Sequence, residues 1–534
     1  MSSSSPVRVF RVFLGLLTLT TFAIAQSVYQ AIVGNPEFVQ LNRVTHGDLL
    51  LIVFVFNVVP AAVLAFLWEL LQRWNRRLAA GFLSLSFFLL VTPFLLELHK
   101  RYVSPLLQFR HNSILLVIPL ALAVAIVFRY RSEFERFLLV LSPVIILFPA
   151  LFLWRAWHEV SPVVAPPAAT MKAGGGATKP GPPVFILLLD EFTRAALLDS
   201  SGNIDASRFP NFARLAREST WFDNATANAE ATTRAIPVIV TGNFPQGYNP
   251  SDAAYPHNLF RLLAPDYDIT IHEVETRFCT SPEYHCPDAV RVSSKKHLLR
   301  AVADLYLLRI SPLSVVLRLE ADQLRVQQER FREFLAEIAP PSAGKPVLEF
   351  MHLELPHSPY MLTPDGAIHL RSPSSFYPSL AGNREVIENL RNDYEMQVEF
   401  VDRELGEFLD RLKEAGIYDQ ALVIVTADHG VSWKLDAPGR VLSAANADMI
   451  FPIPLFIKLP GQKKPGVSDA DVQSIDLLPT IAAVVGVKVP WTVAGRDIYG
   501  ANSAPRKKII IDANGRRFEY PPTFAATVSK SGNR

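Results

Sequence analysis

The chain has 534 residues, of which 50% are hydrophobic and 19% charged, and its formal net charge is +2. That length allows two or three domains. The apolar excess rules out an ordinary soluble enzyme, and so small a net charge leaves no electrostatic footprint for nucleic acid, which is not expected as a partner.

The apolar excess sits in roughly the first 155 residues, as five stretches running about Val9 to Ala25, Leu49 to Leu67, Leu78 to Leu96, Ile114 to Phe128 and Phe137 to Leu153. A spanning helix needs about 20 mostly apolar residues, so residues 1–158 are expected to form a transmembrane domain of about five helices. Pro60, Pro93, Pro119, Pro143 and Pro149 interrupt these stretches, and membrane helices tolerate such prolines better than soluble ones. Arg8 and Arg11, Arg73, Arg76 and Arg77, and Arg129, Arg131 and Arg136 mark alternate loops as cytoplasmic. Everything after Leu153 then falls outside, at the periplasmic or extracellular face of the cell membrane. Lys100, Arg101 and Arg110 argue against that orientation. Ala23-Ile24-Ala25 before Gln26 also reads as a signal-peptide cleavage site. Cleavage there leaves the later domain outside as well.

Residues 159–183 turn to Pro, Ala, Gly and Lys and read as a linker. Val184 to Leu189 is apolar on both faces, as a central parallel strand would be. Further strands of that kind are expected at Val347 to Met351, Leu422 to Ala427 and Leu455 to Ile457, with helical patterns at Asn211 to Glu218 and Arg391 to Lys413. Alternating strands and helices over 184–534 predict a doubly wound α/β domain. Cys279 and Cys286 lie in it, too few for a zinc ribbon or a disulfide scaffold. In an outer compartment a local loop disulfide and two free thiols stand as equal alternatives.

Ligands in such sheets bind at the carboxyl ends of strands. Asp190-Glu191 follows the first strand and Asp428-His429-Gly430 follows the strand at 422–427. Taken singly, each is as readily a helix cap or a turn. Carboxylates and imidazole converging at two strand ends are what a divalent cation with mixed oxygen and nitrogen preference requires. Thr232, in Thr232-Thr233-Arg234-Ala235-Ile236-Pro237, is expected at the N-cap of a buried helix. By itself that reads first as a plain N-cap threonine, and the alternative is that the helix's first N–H groups hold a phosphate or sulfate oxygen there.

Thr426-Ala427-Asp428-His429-Gly430 resembles the metal-binding strand end of the sulfatase-like branch of the alkaline-phosphatase superfamily. Pro210-Asn211 leading to Leu215-Ala216, Phe222-Asp223-Asn224-Ala225, and Asp476-Leu477-Leu478-Pro479-Thr480 resemble that family's "P-N-x-x-x-L-A", "F-x-N-A" and "D-x-x-P-T" segments in the family's order. The resemblance covers roughly Pro183 to Gly500. It implies a divalent metal held by Asp428, His429, Thr232 and a first acidic ligand that is Glu191 by the transferase branch's pattern or Asp190 by the sulfatase branch's, with zinc or manganese expected and calcium fitting if more carboxylates join. It also implies Thr232 as nucleophile, since phosphoethanolamine transferases carry a similar Thr-Ala-x-Ser-x-Pro run. His357, in Leu355-Pro356-His357-Ser358-Pro359-Tyr360, resembles the family's substrate-facing histidine.

Sulfatases proper form their nucleophile from a cysteine or serine in a C-x-P-S-R motif, which is missing here. Phosphoryl chemistry is therefore expected ahead of sulfate hydrolysis. Several spans, a linker and a sulfatase-like domain match the layout of lipoteichoic-acid synthases and phosphoethanolamine transferases. That layout implies a membrane lipid donor and an envelope glycan or lipid acceptor. One departure stands out: no histidine follows His429, so either Lys434 or Arg440 replaces the one these transferases place there or the second substrate-binding position is missing. A hydrolase of phosphate or sulfate esters and an inactive envelope-binding scaffold remain as alternatives.

Overall fold

A computed structural model describes residues 6–523 apart from 34–37, 40, 41, 43, 99–121, 125, 126, 128–130, 160–180, 248, 289–293, 311, 312, 341–343, 370–381, 501–503, 513 and 514. The chain divides into two compact units, Met1–Pro162 with Val292–Leu319, and Val163–Arg291 with Glu320–Arg534.

The first unit is helical. Among the described residues, three helices are long and apolar enough to cross a membrane: Pro6–Val33, His46–Trp74 and Arg76–Leu95. A fourth candidate is the bent pair Glu133–Val140 and Val144–Trp157. The span expected near Ile114 to Phe128 falls largely outside the described residues, as do Lys100, Arg101 and Arg110. Ala23 and Ala25 are buried within a continuous helix, not in an extended segment. Pro60 sits in the first turn of Val59–Trp74, just after a π-helical turn over Phe54–Val58. That wider turn is where a helix accommodates a residue with no N–H to donate. Phe66, Trp74, Leu89 and Ile146 point outward, as side chains facing acyl chains would. The helix Lys295–Ile310 packs Leu298 and Val302 against Ala25, Val28, Tyr29 and Ile32. By sequence that segment lies inside the α/β stretch.

The second unit's first ten strands, in chain order, are β1 (Val184–Leu189), β2 (Thr220–Phe222), β3 (Ala225–Thr226), β4 (Asp268–His272), β5 (Val347–Leu353), β6 (Leu422–Ala427), β7 (Ser432–Trp433), β8 (Pro438–Gly439), β9 (Leu455–Lys458) and β10 (Gly466–Ser468). Seven of them form one sheet in the order β10-β2-β9-β6-β1-β5-β4. β1 pairs in parallel with β5 and β6, and all six of its residues are buried, as the continuous apolar run predicts. The expectation of a parallel strand at 455–457 needs correction. β9 runs antiparallel to both β6 and β2, so the sheet is mixed. Between β6 and β9 the chain forms the short β7–β8 pair and, as its one helical element, the single turn Ala447–Ile450. Without a crossover helix the chain reverses direction, and its next strand pairs antiparallel.

Candidate active site

Strand register places the first acidic groups. Leu189 is level with Ala427 on one side and Leu353 on the other. The next residues, Asp190 and Asp428, therefore leave the carboxyl edge of adjacent strands together. Asp190 donates its N–H to Leu353 O and Leu355 O, and Asp428 donates its own to Leu189 O. One ligand atom each from Asp190, Asp428 and His429 lies within 4.8 Å of the others, and all three residues are fully buried.

The donor set fits a cation. Asp428 Oδ1 accepts from Glu191 N at 3.1 Å and from His429 N at 2.6 Å. Asp428 Oδ2 and both oxygens of Asp190 are buried without a hydrogen-bond partner. Buried anions left this way are expensive unless a positive charge joins them. Burial, and then the neighbouring Asp428 carboxylate, push Asp190 well above the usual carboxylate range. His429 Nδ1 lies 3.1 Å from Gly430 O. A carbonyl only accepts, so Nδ1 carries the proton, and Nε2 presents its lone pair to the cluster. Gly430 has no room for a side chain, since a Cβ would lie 2.8 Å from Met449 O.

Thr232 Oγ1 lies 3.5 Å from His429 Nε2. Thr232 is the first residue of the helix Thr232–Thr241, with Ala231 as its N-cap and no side-chain cap bond. It is thus one position further into the helix than the sequence pattern suggests, and its hydroxyl is not spent on capping. The loop before it is pinned by Asn228. Its amide oxygen accepts from Ser474 Oγ and Ile475 N, and its Nδ2 donates to Gln473 Oε1. The segment around Asp476 therefore acts as a buttress for Thr232.

Glu191 parts from Asp190. Its φ of 58° is the left-handed value, unusual for a residue with a side chain. Tyr394 Oη donates to its carbonyl. The turn sends the Glu191 carboxylate to a second group of residues, outside the Asp190, Asp428 and His429 cluster. There it accepts from Tyr360 Oη at 3.3 Å and faces His357 Nε2 at 3.7 Å and Arg440 Nε at 3.6 Å. His357 Nδ1 donates to Ser358 O at 2.7 Å, and Gln397 Nε2 holds the His357 carbonyl at 2.8 Å. Lys434 instead bonds Asp448 and Ala445 O. Of the two cations that the sequence offered near this position, Arg440 is the one beside Glu191.

His352 was not singled out by sequence. It is fully buried, its Nε2 is 3.6 Å from Asp190 Oδ2, and neither ring nitrogen has a hydrogen-bond partner. Burial lowers it to about 4, against the pull of Asp428, so it is neutral at pH 7. The visible signal is a lone histidine in the otherwise apolar end of Phe350-Met351-His352-Leu353. The cysteines do pair, Cys279 with Cys286.

A family model described as Sulfatase matches residues 182–487, more than half of the chain. The chain therefore belongs to the sulfatase family. An endo-4-O-sulfatase of Bacteroides thetaiotaomicron is 28% identical over 166 residues, 29% of this chain and 32% of that protein, so the match spans about a third of that relative. A choline-sulfatase of Rhizobium meliloti is 22% identical over 65% of this chain and 77% of its own length. Lipoteichoic acid synthase 1 of Bacillus subtilis is 29% identical over 106 residues, 19% of this chain and 16% of that protein. Among solved structures, a phosphonate monoester hydrolase from Silicibacter pomeroyi aligns with a TM-score of 0.44 at 19% identity, covering 62% of this chain and 80% of its own. Membership makes the domain at 182–487 a hydrolase-type one, of a family acting on sulfuryl or phosphoryl esters, and the described residues add helices long and apolar enough to cross a membrane and a buried group that could hold a metal ion.

Proposed function

We propose that this enzyme cleaves phosphate esters at the outer face of the membrane through Thr232, on lipid head groups or envelope glycans. A membrane lipid would be the donor and a glycan or second lipid the acceptor. The observation that carries the reading is the Thr232 hydroxyl, buried and not used as a cap, 3.5 Å from His429 Nε2 beside the partnerless oxygens of Asp190 and Asp428 Oδ2.

Asp190, Asp428 and His429 would hold the metal, with Thr232 beside it. When bound, the cation lowers the pKa of an adjacent hydroxyl and offsets charge on the transferring group. Thr232 Oγ, its hydroxyl proton passed to solvent, would attack phosphorus, a new P–O bond forming as the bond to the leaving alkoxide breaks. N–H groups of the first helical turn point at the developing anionic oxygens. His357, with its Nδ1–H on Ser358 O and its Nε2 facing the Glu191 carboxylate, would act in its imidazolium form, giving the Nε2 proton to the leaving alkoxide and keeping the Nδ1 proton. An acceptor hydroxyl or water then takes the phosphoryl group and frees Thr232. Glu191 and Arg440 border this second position, where they would orient an incoming polar head group. Zinc or manganese suits the oxygen and nitrogen donors.

The Lys and Arg pattern of the helical loops supports the outer location, and so does the Cys279–Cys286 disulfide. Tethering suits a donor confined to the bilayer. A second reading, hydrolysis of sulfate monoesters, is favoured by the length of the choline-sulfatase match. Against it stands Thr232, since threonine cannot yield the aldehyde nucleophile of sulfatases. The test is turnover of lipid phosphodiesters and of choline sulfate by the purified full-length protein and two variants. Thr232→Ala should lose phosphodiester turnover by roughly 10³-fold or more, as removal of a covalent nucleophile does. Thr232→Ser should keep a measurable fraction. Equal activity in wild type and Thr232→Ala would sink the proposal, and turnover of choline sulfate alone would favour the second reading.

A further inference from the structure

A second polar cluster lies at the edge of the sheet, on residues that the proposed chemistry does not use. β4 is the edge strand and pairs with β5 so that Thr270 is level with Glu349 and His272 with Met351. Alternation along a strand puts Thr270, His272 and Glu349 on one face. Glu337, the last residue of the helix Leu313–Glu337, reaches this face. Its Oε2 is 3.0 Å from His272 Nε2, and Phe334, nearly one turn earlier, packs edge-on against the His272 ring. From the open side comes His285, whose backbone extends β4 through His285 N to Ile269 O and Ile271 N to His285 O. Its Nε2 is 3.4 Å from Glu337 Oε1.

We propose that His272, Glu337 and Glu349, with His285 as fourth ligand, form a second divalent metal site that fastens edge strand, helix end and disulfide loop together. One ligand atom each from His272, Glu337 and Glu349 lies within 4.8 Å of the others. Two carboxylates and two imidazoles are a donor set that zinc takes in four-coordinate sites. A second observation points to a missing ligand. Glu349 is 7% exposed, and while its Oε1 accepts from Thr270 at 3.2 Å, its Oε2 is buried with no hydrogen-bond partner. A buried carboxylate oxygen with no partner, on a residue close to a second carboxylate, is unfavourable in isolation and favourable around a cation.

The surrounding structure keeps the ligands in place. The Cys279–Cys286 disulfide closes the loop immediately beside His285. Asp288 then takes a bidentate ion pair from buried Arg330 at 2.9 and 2.8 Å. Arg330 lies two turns before Glu337 on the same helix, so one helix anchors the loop and supplies a ligand. Such supporting contacts fix ligand orientation around metals. His285 is 64% exposed and Glu337 32% exposed, so the site opens to solvent for loading.

The test is zinc stoichiometry of the full-length protein in detergent, by elemental analysis after dialysis. Wild type should hold two equivalents and Asp190→Asn/Asp428→Asn one. His285→Ala/Glu337→Gln should also hold one, with the lost equivalent at least roughly tenfold weaker. If Asp190→Asn/Asp428→Asn holds none, or if His285→Ala/Glu337→Gln still holds two, the proposal is overturned. Should His285→Ala/Glu337→Gln fail to fold, cobalt titration of Asp190→Asn/Asp428→Asn decides. The intense visible bands of a tetrahedral site would support the proposal, and their absence would refute it. Loss of the active-site metal alone leaves these bands in place, so the two sites fail independently.

Discussion

Asp190 and Asp428 emerge side by side from adjacent strands, and register alone forces this. The strongest single expectation at residue level follows from it. In metal-free protein the two carboxylates repel in a buried setting that already drives Asp190 toward protonation. Asp190→Asn removes one charge, and its amide would reach the orphaned Asp428 Oδ2. The metal-free variant should therefore be more stable than metal-free wild type, by about 1–3 kcal/mol, while losing metal binding and turnover. Melting curves with and without chelator check both halves. A variant less stable than wild type in chelator would contradict the repulsion argument. The juxtaposition of Asp190 with Asp428 and His429 was legible because each follows an apolar strand. The direction of Glu191 was not, because a left-handed backbone at a glutamate leaves no mark in sequence. Nor was His352 legible, because one polar residue in an apolar strand is more often a packed histidine than a neighbour of a reactive centre.

Among the elements, the long helix Arg384–Glu414 does more for the site than its exposed charges suggest. Gln397 clamps the loop bearing His357 through its carbonyl and amide contacts. Asp402 caps the helix Pro210–Glu218, accepting from Asn211 N at 3.0 Å and Phe212 N at 2.8 Å. Gly406, one turn further on, lies so close to this cap that a Cβ would sit 2.7 Å from Asn211 Cγ. Glycine in a helix interior ordinarily costs about 1 kcal/mol against alanine, so its presence here reflects the close approach. Gly406→Ala should reverse the usual gain. Overpacking costs about 1–3 kcal/mol, and the displaced Asn211 would also loosen the Asp402 cap. The expected net is a loss of about 1–2 kcal/mol, read from denaturant unfolding. A stabilised Gly406→Ala protein would show that the helices part freely at this point. Sequence patterning identified both helices from their periodicity. The contact between them joins residues about 190 apart and lay beyond its reach. The antiparallel β9 was missed for a related reason, since apolar composition gives a strand's burial but not its direction.

At the scale of the whole chain, sequence and structure agree on a helical apolar part and an α/β part, and differ over the segment 292–319. Its helix carries Leu298 and Val302 on a face that packs with the N-terminal helices. Periodicity cannot say which core an amphipathic helix joins. The proposed sidedness rests on charge: Arg73, Arg76 and Arg77 follow the second apolar stretch, and an odd number of crossings after that loop would put the α/β unit outside. Two single-cysteine probes check it in intact cells with a membrane-impermeant maleimide. Arg77 is exposed between two spans, and Lys463 has a side chain 77% exposed in the catalytic unit. The native cysteines, paired with each other, contribute no background thiol. Lys463→Cys should label in intact cells, and Arg77→Cys only after permeabilisation. The reverse pattern would place the α/β unit in the cytoplasm. The donor lipid would then have to be reached from the inner leaflet, and the disulfide would sit in a reducing compartment.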